Sequence, residues 1–354
     1  MVAVVLAVAG VSGCGATQKP SAVPEVLWPP PPEVPRFKLA RVIKGEADYE
    51  PPAGWWRRTF LGARKPGELF ELKQPFGIAC HPAKRVVYVA ERKQARIIAF
   101  DEDTKKVRFY GDAVGGKLGL VLGIAVDDAG VVYAVDQRSR RVYAYNVDGS
   151  LLRVYGQHEE LKRPTGVAVD RARGRLYVAD LGPQAIIVLD LATGSKVATW
   201  GKGGRGQGEF AFPGLLALDR RGNLLVADQM NFRIQVLSPE GAFVRALGGP
   251  GDRPGSFFRL KGVAVDSENR VYAVDEAFAN VQVFQSDGQL LLFFGQGGDR
   301  PGEFRMPVGA CVTPDDVIWV AEAMGSRIQG IRFLRNAHVP SRAPASQPAS
   351  APHP

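Results

Sequence analysis

Six carboxylates recur at matching places in this 354-residue chain: Glu91, Asp136, Asp180, Asp228, Asp275 and Glu322. Four of them have an arginine five residues on, Arg96, Arg141, Arg233 and Arg327, while Ala185 and Asn280 stand there in the other two. Such a ring could hold a metal or serve as paired acid and base. A catalytic group is normally one of a kind, because unlike neighbours must tune its pKa. A carboxylate repeated six times is better suited to accepting backbone hydrogen bonds in its own turn. The histidines are His81, His158, His338 and His353. The last two lie in the C-terminal tail, and strand counting puts His81 and His158 on opposite faces. They cannot share a zinc, which needs three or four convergent ligands, so solvated turn histidines are expected. Cys80 and Cys311 fall in the innermost strands of neighbouring units. Alternation aims them at opposite faces, and buried free thiols are expected rather than a disulfide. The Gly-rich stretches lack the Lys-Ser/Thr of a phosphate loop, and there is no Cys-x-x-Cys-His. No catalytic residue, metal ligand or cofactor is assigned.

The elements that carry these residues repeat. Gly77-Ile78-Ala79, Gly123-Ile124-Ala125, Gly166-Val167-Ala168, Gly262-Val263-Ala264 and Gly309-Ala310-Cys311 occupy one position, and Leu215-Leu216-Ala217 fills the fourth copy with Gly214 one residue early. The spacing runs from 43 to 49 residues. Each unit reads as four short strands; in the fifth these are Gly262–Asp266, Val271–Asp275, Val281–Gln285 and Leu290–Gly295. Asp148-Gly149 and Asp287-Gly288 mark hairpin turns. Strands such as Val86-Val87-Tyr88-Val89-Ala90 are apolar on both faces and must be covered on both. Periods of 40–50 residues point to propeller blades. The last unit lacks its fourth strand, and Trp55 to Gly62 matches one upstream, giving 280 residues from 55 to 334. The expectation is an all-β, six-bladed β-propeller of four-stranded blades, closed by an N-terminal strand that completes the last blade.

Pro-x-Gly-Ile-Ala-Val-Asp, Val-Tyr-Val-Ala-Asp and the run Asp228-Gln229-Met230-Asn231-Phe232-Arg233-Ile234-Gln235-Val236 resemble the NHL-repeat family of six-bladed propellers. That resemblance covers the propeller and is specific for fold. It leaves activity open, because the family includes RNA binders, ubiquitin-ligase modules, lyases and bacterial envelope proteins. Its lyases imply clustered histidines with a metal, and lactonase-type propellers imply unlike Asp, Asn and Glu ligands. Neither set is found here; Asn231 and Asn280 occupy different repeat positions.

Residues Val2 to Val11 form an apolar run ending in Val11-Ser12-Gly13-Cys14. It is too short to span a bilayer and resembles the signal peptide and lipobox of bacterial lipoproteins. That resemblance implies cleavage after residue 13 and a lipidated Cys14. Gly15, where aspartate is absent, implies outer-membrane sorting. Residues 14–54, with prolines at 29–32, are expected to form a stalk, and 335–354, rich in Pro, Ala and Ser, a disordered tail. Hydrophobic residues at 45% and charged residues at 23% exclude a disordered chain, and the 41 glycines lack a collagen period.

Residues 55–334 hold 38 Lys and Arg against 31 Asp and Glu, a charge of +7. Strand direction places the Gly-rich connectors and the loops after the carboxylates on one face. Arg92, Arg138 and Arg140, with Phe232 and Phe278, are the expected binding residues there. The function expected is a lipid-anchored, non-catalytic envelope scaffold, a monomeric wheel that binds a protein or anionic glycan. An exported chain has no routine access to nucleic acid. The alternative is a metal-dependent hydrolase or lyase at the channel mouth.

Overall fold

The structure, a computed structural model, describes residues 24–49, 69–157 and 161–335. Cys14, His158, the segment Trp55 to Gly62 and the tail beyond 335 lie outside the described residues. The second strand of each repeat is buried along its length; in Val86–Glu91, Val87, Val89 and Ala90 are fully inaccessible. Covering both faces forces each sheet between two others. The result is a ring of six antiparallel sheets, five with four strands and one with five.

The innermost strands are Pro75–Cys80, Val121–Val126, Pro164–Asp170, Pro213–Leu218, Leu260–Val265 and Pro307–Val312. They line a central channel, and apolar clusters fill the gaps between successive blades. The fifth blade comprises Leu260–Val265, Val271–Asp275, Asn280–Phe284 and Leu290–Phe294, within two residues of the expected limits. The recurrent glycine has a steric cause. A Cβ on Gly77 would fall 2.1 Å from the Leu122 carbonyl oxygen of the next blade. At the seam between the sixth and first blades, a Cβ on Gly309 would lie 2.7 Å from the Phe76 carbonyl. The hub is packed backbone to backbone, and only glycine permits that approach.

The last blade is closed by an N-terminal strand, but an earlier one than expected. Phe37–Ile43 pairs antiparallel with Arg327–Phe333, from Phe37 opposite Phe333 to Ile43 opposite Ile328. A two-residue strand, Leu27–Trp28, adds to its outer edge. The proline run between them turns the chain, with the Arg36 amide donating to the Trp28 carbonyl at 2.7 Å. Leu27–Trp28 and Phe37–Ile43, within the stretch expected as a stalk, thus belong to the sheet of the sixth blade. A register shift between Leu39 and Arg41 explains how one strand serves two interfaces. Phe37 and Leu39 face the fifth blade, whereas Ile43 joins the cluster against the first. One extra residue exchanges the faces of everything after it.

Candidate binding face and channel

All six repeated carboxylates are fully or almost fully buried, at 0–1% exposure. Each accepts backbone N–H groups from the connector entering its blade. Glu91 takes those of Lys73 at 2.6 Å and Gln74 at 2.8 Å, and Asp136 those of Gly119 at 2.8 Å and Leu120 at 2.9 Å. Asp180 takes Lys162 at 2.6 Å and Arg163 at 2.7 Å, and Asp275 takes Phe258 at 2.8 Å. Several also cap their own turn, as Asp136 does with the Arg138 amide at 2.9 Å. In the fourth blade Asp228 accepts from Ala211 N–H at 2.7 Å, Arg233 Nε at 2.9 Å and Gln235 Nε2 at 3.0 Å. Glu322 repeats this with Arg305 N–H at 2.8 Å and with Arg327 Nε and Gln329 Nε2, both at 2.7 Å. Burial pushes the Glu322 carboxyl upward, opposed by Arg327. These groups tie connectors to blades, and their oxygens are committed to that task.

The channel widens into a funnel of about 610 Å³ at the end where the inner strands finish. Ile78, Ile124, Val167, Leu216 and Val263 line its throat, and charged residues from the first turns of the second to fifth blades stand at its rim. At the rim, Asp127, Asp170, Asp219 and Asp266 hold one repeat position, with His81 and Thr313 in the first and sixth blades. Sequence reasoning passed over this ring, although the Val-Asp that ends the Gly-Ile-Ala motif marks it. Asp266 accepts the Tyr272 hydroxyl at 2.9 Å and Arg270 Nε at 2.6 Å; Asp127 accepts the Tyr133 hydroxyl at 3.1 Å and Arg171 at 2.8 Å. Among the described residues no group of three or more His, Cys, Asp or Glu is placed to hold a metal ion.

Two expectations are corrected here. His81 is buried at 2% exposure, not solvated. Its Nδ1 accepts the Ala83 amide at 3.0 Å, and its Nε2 has no partner. Burial and the Lys84 ammonium lower its pKa. Cys80 and Cys311 form a disulfide with Cα atoms 5.5 Å apart. Their opposite orientation within the repeat is what brings them together. The first blade meets the sixth through one face, and the sixth meets the first through its other face. Positions one residue out of step therefore point at each other, and both cysteines sit in the cluster between these blades.

The opposite end of the wheel, the connector face, carries the residues expected to bind. Arg138 and Arg140 are exposed and have no ion pair among the described residues. Arg92 is half-buried, with its guanidinium 4.7 Å from the Phe76 ring centre. Phe232 is half-buried with φ of 55° and packs on the cluster between the fourth and fifth blades. Phe278 is half-buried and lies 6.5 Å from the ring of Phe258. The prominent apolar side chains are others: Val114 at 99% exposure on the connector entering the second blade, and Phe212 at 43%, Met230 at 56%, Phe258 at 61%, Met306 at 38% and Met324 at 55%. Phe212, Phe258 and Met306 lie at or just before the start of an inner strand, where their backbone is held by the connector geometry and their side chains project outward.

The face is thus divided. The loops after the carboxylates carry Arg92, Lys93, Arg138 and Arg140 in the first two blades. In the fourth to sixth blades the same loops carry Met230, Phe232, Phe278 and Met324, with no Lys or Arg.

No known family model matches the chain. Protein lin-41 of Caenorhabditis elegans is 35% identical over 81 residues, which is 23% of this chain and 6% of that protein. The chain thus spans a small fraction of the relative it matches. A gluconolactonase from Xanthomonas campestris superposes with a TM-score of 0.59 at 17% identity, covering 84% of this chain and 98% of the other. A virginiamycin B lyase from Staphylococcus aureus, a catalytically inactive histidine-to-alanine variant with quinupristin, gives 0.55 at 14% identity, covering 74% and 95%. These likenesses show the fold: a six-bladed propeller with NHL-type repeats and neighbours of the NHL and gluconolactonase kind. Proteins of this fold include both binding scaffolds and enzymes.

Proposed function

We propose that the chain is a non-catalytic binding scaffold of the cell envelope, anchored through a lipidated Cys14, whose connector face recognises an anionic protein or glycan. The observation that carries this reading is the commitment of all six repeated carboxylates to backbone N–H groups, beside arginines on the same face that lack acidic partners among the described residues. A rigid, closed wheel holds those loops in fixed relative positions, which lowers the entropy cost of binding. Cross-linked capture from native membranes tests it. Arg138→Glu/Arg140→Glu should abolish capture of a specific partner, whereas Lys84→Glu/Lys106→Glu, the same charge change on the funnel face, should not. Equal capture by both variants would overturn the placement.

A second reading, a metal-dependent hydrolase or lyase, draws support from the 610 Å³ funnel and its rim of aspartates. Its test is a stoichiometric divalent metal in the purified protein that is lost in Asp219→Asn.

A further inference from the structure

The two faces of the wheel treat charge differently. On the funnel face, several arginines are neutralised within the molecule: Arg171 with Asp127 at 2.8 Å, Arg173 with Asp170 at 2.8 Å, and Arg270 with Asp266 at 2.6 Å. Arg85 pairs with Asp103 at 3.1 Å and Asp315 at 3.2 Å. On the connector face the acids are the paired partners. Glu276 is held by Arg259 and Lys261, both at 3.2 Å, Asp299 by Arg305 at 3.1 Å and Glu209 by Lys202 at 3.4 Å. Left without an acid among the described residues are Arg92, Lys93, Arg138 and Arg140, and on the connectors Arg205 and Arg253. Lys84, Lys106, Arg220 and Arg221 on the funnel face also lack an ion pair among the described residues, but so do Asp148, Asp219, Glu240 and Asp287 beside them, so the excess of positive charge lies on the connector face.

The same side presents the apolar tips Phe212, Met230, Phe258, Met306 and Met324. They project from separate loops of three successive blades. A bilayer surface is the partner that offers, in one plane, anionic phosphates and an apolar layer just beneath them.

Chain direction adds an independent argument. Phe37–Ile43 runs toward the connector face, since Ile43 pairs with Ile328 near the start of the third strand. Leu27–Trp28 runs the other way, with Leu27 opposite Lys38 and the Val26 carbonyl bonded to the Leu39 amide. Traced back from Trp28 to Val26, the chain climbs toward the connector face. The side chains of Val26 and Trp28 meet Gly302 of the connector entering the sixth blade.

We propose that the connector face seats on an anionic lipid bilayer, with the apolar tips of the fourth to sixth blades entering the headgroup layer and the arginines of the first two lying against lipid phosphates. This goes beyond the recognition reading above: it keeps the connector face as the recognition surface and assigns it lipid phosphate in place of a protein or glycan. The funnel then opens away from the membrane.

The test is vesicle flotation of the full chain carrying Cys14→Ser, which removes any acyl anchor, with phosphatidylcholine vesicles made with and without phosphatidylglycerol. Flotation is expected only with phosphatidylglycerol. It should weaken by roughly thirtyfold or more in Arg138→Glu/Arg140→Glu, weaken in Phe258→Ser/Met324→Ser, and hold in Lys84→Glu/Lys106→Glu, with cooperative thermal unfolding confirming that each variant is folded. Absence of flotation, or flotation indifferent to the connector-face changes, overturns the proposal. If flotation fails while Arg138- and Arg140-dependent capture of an acidic protein persists, the membrane proposal falls and the recognition reading stands. If both fail, both fall.

Discussion

Cys80 and Cys311, 231 residues apart in sequence, are bonded across the seam where the first blade meets the sixth. The bond lies beside the point at which Gly309 packs on the Phe76 backbone, so the hub of the ring is covalently closed there. Cross-linking residues so distant restricts the unfolded chain strongly, a contribution of about 2–5 kcal/mol in the entropic account. Reduction, or Cys80→Ser/Cys311→Ser, should lower the thermal midpoint by several degrees without abolishing the fold. An unchanged midpoint in reducing buffer would show that the two sulfurs are not joined.

The outer edge of the sixth blade depends on Phe37, Leu39 and Ile43, each 0–2% exposed. A chain trimmed to begin at Ala53 lacks all three and leaves Arg327–Phe333 as an unpaired edge. Loss of one such side chain alone costs about 2–5 kcal/mol, and an open edge invites aggregation. The trimmed chain should be insoluble or lack a cooperative transition in calorimetry, whereas a chain beginning at Pro24 should retain one.

Asp228 binds the Ala211 amide and the side chains of Asn231, Arg233 and Gln235. Asp228→Ala strands Arg233, whose side chain is only 16% exposed, and leaves Gln235 short of a partner. A loss of about 3–5 kcal/mol in denaturant unfolding is expected. Added divalent metals should not restore it. Rescue by a metal would instead place a cation among these carboxylates.

His81 gives a pH dependence of defined sign. Its folded pKa lies below the ordinary value of about 6.5 because burial and Lys84 disfavour the charge. The unfolded chain therefore takes up the proton first, and stability present above pH ~6.5 declines as the pH falls through that value toward the folded pKa. Protonating Nδ1 would also sacrifice its bond from the Ala83 amide. Urea unfolding of wild type and His81→Asn between pH 7.5 and 5 should show the steeper decline in wild type. Parallel curves would remove His81 from the account.

Much of the wheel is legible because its causes are local. Gly-Ile-Ala at a fixed period encodes the backbone packing of the hub, and the both-face apolar runs encode stacked sheets. Equal spacing of the units predicts the closing strand at Trp55 to Gly62, whereas the structure places it at Phe37–Ile43. Phe37–Ile43 is separated from Pro75 by residues 44–74, whereas Trp200 reaches Pro213 through 201–212. The disulfide was missed because alternation was judged in one frame for two blades that meet through opposite faces. Phe232 could not be told from Phe258 by type or spacing. Phe232 packs onto the cluster between the fourth and fifth blades, while Phe258 projects outward, and that difference arises only in three dimensions.

The recognition reading is tested most directly by its own methionines. Met230, Met306 and Met324 are the methionines among the described residues, and all three are exposed on the connector face. Mild peroxide converts exposed methionine to the sulfoxide, so mass spectrometry of their oxidation reads that face alone. In native envelope fractions all three should oxidise markedly more slowly than in the purified chain, and Arg138→Glu/Arg140→Glu should restore the faster rate. Oxidation at the same rate in both settings would contradict the claim that the connector face is where this protein meets its partner.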